Sequence, residues 1–130
     1  MPNTGDTFIT ILKKSHLSWG THRHTTTRGI IYGEGYLHIP RIEAIRLSIY
    51  NSNKPNAVIK YKCTSTDGFF NAVTLKASGS MVSGDIYAKQ FQGSGNLKLL
   101  GDWFKHINAV VGDRVRITWT SPTEITITKI

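Results

Sequence analysis

A mostly-β domain of the α+β type, with about seven short strands and two short helices, is the fold class the sequence predicts. Three observations carry it. Apolar and polar residues alternate over several short runs, the period of a strand with one buried face. Turn clusters such as Asp67-Gly68 and Ser121-Pro122-Thr123 separate those runs. Helical spacing of apolar residues occurs in only two brief places. Closing such a sheet into a barrel removes edges that would otherwise pair with other chains.

The first strand is Thr7 to Leu12 (TFITIL). A long polar stretch follows, Lys13 to Gly35, with no hydrophobic period except at Ile30–Tyr32, where a short strand fits. Loops this long inside a compact domain usually serve function. Tyr36 to Ile39 is a short strand. Pro40 suits the first turn of a helix, where its missing N–H costs nothing. Ile42, Ile45 and Ile49 recur at helical spacing with Arg41, Glu43 and Arg46 outside, which predicts a helix over Arg41 to Leu47.

After the turn cluster 51–56, Ala57 to Cys63 alternates. Ile59, Tyr61 and Cys63 fall on one face, with Val58, Lys60 and Lys62 on the other. Asp67-Gly68 signals a hairpin turn into a strand over Phe69 to Ala77. Gly79 to Gly84 reads as a turn and Asp85 to Phe91 as a strand. Gln92 to Asn96 forms a second polar, glycine-rich loop, and Gly101 to Asn108 one or two helical turns. Arg114 to Trp119 and Glu124 to Ile130 form a closing hairpin, with Val115, Ile117 and Trp119 on one face.

At 130 residues and 39% hydrophobic content the chain makes one domain, residues 1–130, with a real core. Sixteen Lys and Arg against eight Asp and Glu give a formal net charge of +8. Such a field attracts polyanions: DNA, RNA or an anionic membrane surface. Apolar runs fall far short of the ~20 residues of a spanning helix. Met1 to Asp6 has no basic stretch leading into an apolar run. Cys63 is the lone cysteine, which excludes an internal disulfide and a cysteine-rich zinc site. A cytoplasmic protein in a reducing compartment is expected, with Cys63 a core thiol.

Catalysis finds little support in the residues. Asp67 and Asp113 adjoin glycines in turns, and Glu43 lies on a helix face. A metal-dependent nuclease spaces an acid ahead of an acid-x-Lys, so that two carboxylates hold the metal and the lysine helps activate water. No Asp-x-Lys or Glu-x-Lys occurs. His16, His22 and His24, with His38 beyond, have the nitrogen donors zinc uses. No Cys or acid accompanies them between Lys13 and Thr27, so imidazoles in an exposed polar loop are the simpler reading. Ser15-His16 and Ser18 make a weak nucleophile–base pattern, because adjacent residues point apart. Gly93-x-Gly95 lacks the Gly-Lys-Ser/Thr ending of a phosphate loop. No catalytic residue, metal or cofactor is expected.

Two segments have no structural explanation. In the first, Lys13, Lys14, Ser15, His16, Ser18, Trp19, Thr21, His22, Arg23, His24, Thr25 and Arg28 mix cations for phosphates with groups that reach base edges. Arginine bonds guanine through two parallel N–H groups. Trp19 suits base stacking or, more simply, capping of the core. In the second, Lys89, Gln90, Gln92, Ser94, Asn96 and Lys98 surround glycines that allow close backbone approach. Glutamine and asparagine pair naturally with adenine in the major groove. An ordinary flexible connection is the alternative for this second segment.

The order of segments resembles the B3-type DNA-binding pseudobarrel of plant transcription factors and of the effector domains of bacterial restriction endonucleases. Phe8 to Trp19 (FITILKKSHLSW) resembles that family's opening strand and polar arm. Tyr36 to Leu47 (YLHIPRIEAIRL) resembles its strand, Ile-Pro and amphipathic helix. Trp103 to Val115 (WFKHINAVVGDRV) resembles its Trp, Phe and Gly-Asp-x-Val ending. Bacterial swapped-hairpin transition regulators share Ile-Pro and Gly-Asp-x-Val within a much shorter unit. More than seventy residues intervene here, which favours the pseudobarrel.

The resemblance implies a seven-stranded open pseudobarrel with two short helices, set over the DNA major groove. Its N-arm falls on Lys13 to Arg28 and its C-arm on Lys89 to Lys98. The stretch Lys13 to Gly35 is longer than the plant pattern and closer to the restriction-enzyme branch. The expected partner is double-stranded DNA, with a separate nuclease domain or subunit to cut it. Arg23, His22, Arg28, Gln92 and Asn96 would read bases, and Lys13, Lys14, Lys89 and Lys98 would hold phosphates. Alternatives are an RNA or single-strand binder with an aromatic face and a protein-interaction domain whose charge is incidental.

Overall fold

The computed structural model describes residues 1–18, 32–79 and 84–130. Seven strands form one sheet: β1 (Thr7–Ile11), β2 (Leu37–His38), β3 (Lys60–Ser65), β4 (Val73–Gly79), β5 (Ala88–Gly93), β6 (Arg114–Ser121) and β7 (Glu124–Lys129). The order is β1-β6-β7-β3-β4-β5-β2, antiparallel except between β3 and β7. The end strands β1 and β2 approach each other, so the sheet curls into a nearly closed barrel. Arg46 donates from Nη2 to the Thr7 carbonyl at 2.9 Å, covering part of the free edge of β1.

Alternation drives this architecture. Tyr61 and Cys63 of β3, Leu75 and Ala77 of β4, Phe91 of β5, Val115, Ile117 and Trp119 of β6, and Ile125 and Ile127 of β7 all point inward and are buried. Tyr61 meets Trp119 and Phe91 edge-on, with ring centroids 6.0 and 5.7 Å apart, an arrangement the ring quadrupoles favour. Burial pushes the Cys63 thiol up to about 12, as a core cysteine requires.

Among the described residues three helices pack on the barrel: α1 (Lys14–Leu17), α2 (Arg41–Leu47) and α3 (Leu99–His106). The second has the predicted bounds but a different buried face. Ala44 and Leu47 go inward, while Ile42 and Ile45 are 76% and 47% exposed. Ser48 ends α2 in the left-handed region at φ 57°, so Ile49 reaches the core from beyond the helix. The helix α3 buries Leu100, Trp103 and Phe104.

Strand boundaries shift where side chains shape the turns. The Asp67-Gly68 turn is wider than a two-residue hairpin, since Cys63 pairs with Val73. Asp67 organises it, accepting from Ser65 Oγ at 2.6 Å, Phe69 N–H at 2.9 Å and buried Trp103 Nε1 at 2.8 Å. Burial opposes the charge, but these donors and His106 hold the carboxyl below its usual range. Gln92 and Gly93 belong to β5 rather than to a loop. The expected strand at 30–32 and the turn at 79–84 lie largely outside the described residues, at 30–31 and 80–83.

Candidate nucleic-acid interface

The first polar segment opens with a helical turn that its composition did not predict. His16 N–H donates to the Lys13 carbonyl at 3.0 Å, and Lys13 N–H donates back to His16 Nδ1 at 3.1 Å. This reciprocal pair satisfies donors that a helix start leaves open. The His16 ring stacks on His38 at 5.5 Å and 19°, and leans on Tyr36 at 4.9 Å. Burial, with the His38 ring and the Lys13 ammonium alongside, pushes its pKa down to about 4. An accepting Nδ1 also requires the neutral ring.

His16 is buried among these groups rather than presented at the surface. It is 4% exposed, with Nδ1 already engaged, and it fixes the root of the segment. Lys13 and Lys14 are exposed, and Ser15 and Ser18 half-buried. Trp19, Thr21, His22, Arg23, His24, Thr25 and Arg28 lie outside the described residues.

The second segment starts on a rigid strand. Lys89 is exposed, and Gln90 and Gln92 share the outer face of β5, where Gln90 Nε2 donates to Gln92 Oε1 at 2.9 Å. Beyond β5, Ser94 N–H donates to the Thr74 carbonyl at 3.1 Å. The exposed Asn96 turns the chain by accepting from Lys98 N–H at 3.1 Å, a local bond typical of asparagine in turns.

The two segments are rooted together. Residues 33–36 lie between α1 and the second loop. Tyr36 N–H donates to the His16 carbonyl at 3.2 Å, and Gly35 N–H donates to the Leu97 carbonyl at 3.2 Å. Glycine is required twice at this junction. A Cβ on Gly101 would run into the Gly33 carbonyl, and one on Gly35 would press on the Phe104 ring at 3.0 Å. The strand β2 completes the link, because His38 pairs with Gln90 and the Ile39 N–H donates to the Lys89 carbonyl at 2.8 Å.

Sequence reasoning missed residues that β2 brings into this junction. A cleft of about 310 Å³ is lined by Tyr36, His38, Arg41, Lys89 and Gln90. A second, of about 250 Å³, opens between β1 and β2 beside Lys13, His38 and Pro40. His38 borders both, with its pKa lowered by burial and then by Lys13. Its place between inward-facing Leu37 and Ile39 was the sequence signal for an outward imidazole. Arg41 is held by Asp85 at 3.3 Å and lies 5.8 Å from the Tyr87 ring centroid.

Ammonium, guanidinium, imidazole and carboxamide groups thus converge on one edge and can donate to anionic oxygens. Among the described residues no three His, Cys, Asp or Glu side chains gather as a metal ion would require. His22 and His24, the other imidazoles of the zinc pattern, lie outside those residues. Among them too, no helix is long and apolar enough to cross a membrane. No protein-family model matches the chain, and no curated protein matches it.

Proposed function

We propose that this chain is a sequence-specific double-stranded DNA-binding domain. It reads the major groove with loops carried on 13–28 and 89–98. It serves as the target-recognition module of a bacterial restriction endonuclease, with a separate nuclease domain or subunit doing the cutting. The domain itself is non-catalytic and needs no cofactor. One observation carries this reading: the two polar segments have their roots hydrogen-bonded into one edge of the barrel. A single rigid edge can present two arms to one groove, where separated loops could not. The net charge of +8 supports a phosphate partner. The similarity to B3-type pseudobarrels points the same way.

A single-strand binder needs exposed rings on which bases stack. Among the described Tyr, Phe and Trp residues only Tyr32 and Phe69 are exposed, and Phe69 already stacks on His106 at 4.5 Å. Duplex is therefore the preferred ligand. Fluorescence anisotropy with labelled duplex DNA, its separated strands and duplex RNA of equal length tests this. Tightest binding to the DNA duplex is expected. Equal or tighter binding to single strands or RNA, or no binding at physiological salt, overturns it.

A further inference from the structure

The outer face of the sheet carries a polar row that continues past the arms. His38 of β2 pairs with Gln90 of β5, and Gln92 pairs with Lys76 of β4, which pairs in turn with Lys60 of β3. Lys60 is exposed and Lys76 half-buried, and both alternate with the inward residues Tyr61, Leu75 and Ala77. Neither makes an ion pair among the described residues. Their neighbour Lys62 differs, since its Nζ donates to Thr74 Oγ1 at 3.1 Å and Glu124 stands at the paired position on β7.

Like charges directly opposite across two strands are destabilising. The Lys60–Lys76 pair therefore weakens the sheet unless an anion sits over it. Its distance from the second arm fits such a ligand. One strand spacing separates β5 from β4 and two separate it from β3, about 5 and 10 Å along the curved sheet. The major groove is about 12 Å wide. With the β5 carboxamides at the groove, Lys76 and then Lys60 follow on the side of one bordering strand.

We propose that Lys60 and Lys76 form a phosphate clamp on the outer face of β3 and β4, gripping the DNA strand that borders the groove entered by the 89–98 segment. The clamp rests on the duplex-binding reading above. It contributes affinity without sequence preference, and the arms supply the selection.

The test measures binding of a labelled mixed-sequence duplex across a salt series for the wild type, K60Q/K76Q and K60R/K76R. Each lost phosphate contact lowers the slope of log affinity against log salt by about 0.9. K60Q/K76Q is therefore expected to lose about 1.8 from the slope and on the order of fiftyfold in affinity near 0.1 M salt. K60R/K76R keeps both charges and stays near wild type. The thermal midpoint of K60Q/K76Q is unchanged or higher, because the like-charge pair is gone. A duplex-binding wild type with an unaltered slope in K60Q/K76Q overturns the clamp and leaves the duplex reading standing. Loss of affinity accompanied by loss of stability also overturns it. A wild type that binds no duplex overturns both.

Discussion

Acid should unfasten the root of the first arm through His16. The folded protein holds this imidazole neutral, with a pKa of about 4 against 6.5 for the free side chain. Between those values the unfolded chain binds a proton that the folded chain does not, so stability falls as pH drops below 6.5 and levels off below 4. At pH 5 the linkage comes to about 2 kcal/mol at full strength. It is about 1 to 2 kcal/mol once solvent screening of the charged ring is allowed for. The structural cause is specific: a proton on Nδ1 would face the Lys13 N–H that now donates to it.

The control is H16Q, which keeps an acceptor for the Lys13 N–H, as glutamine does at this place in a capping box, but does not titrate. Urea denaturation at pH 7 and pH 5 should show the wild type losing this increment and H16Q losing less by the same amount. His38 is present in both proteins, so its own titration largely cancels. A His16 ring that titrates near 6.5 by NMR, or an H16Q pH dependence identical to wild type, would contradict this role for His16.

Three further substitutions probe the frame. Replacing Asp67 with Ala leaves the buried Trp103 indole N–H without its acceptor and should cost about 1 to 3 kcal/mol in urea denaturation. Thr10 is buried, and its hydroxyl makes no hydrogen bond among the described residues. T10V keeps the shape, removes a desolvated polar group and should raise stability by about 1 kcal/mol, read from the thermal midpoint. G101A drives a methyl into the Gly33 carbonyl. It should lower stability by about 1 to 3 kcal/mol and weaken duplex binding, because it parts the two arm roots.

Strands were legible wherever alternation was clean. The β6–β7 hairpin reads directly from Val115, Ile117, Trp119, Ile125 and Ile127, all buried. The face of α2 was not, because its sequence offers two stripes of near-helical spacing. Ile42-Ile45-Ile49 is the more apolar, yet the structure buries Ala44 and Leu47. Small Ala44 allows close approach to the barrel, and Ile49 joins the core only after the left-handed Ser48. Four residues of α1 are too few to show any period, and its start depends on a histidine ring acting as a cap.

For the candidate site, the first segment was readable because it fitted no strand or helix pattern, and the second because a polar, glycine-rich run follows the alternation of 85–91. Their junction was not. It depends on His38 pairing with Gln90 and on glycines 35 and 101 lying against carbonyls and rings distant in sequence. The Lys60–Lys76 pair was likewise invisible before the β3–β4 register was known. Alternation places each lysine on an outer face but does not say that the two stand opposite.

One edge of the barrel, where the two arms are rooted, is the surface proposed to meet duplex DNA. Backbone amide shifts followed by NMR as mixed-sequence duplex is added test it most directly. Changes are expected to concentrate at 13–18, 36–38 and 89–98, with little at the 51–56 turn or at Val110 and Val111. Changes centred on the latter regions, or spread evenly over the surface, would contradict it.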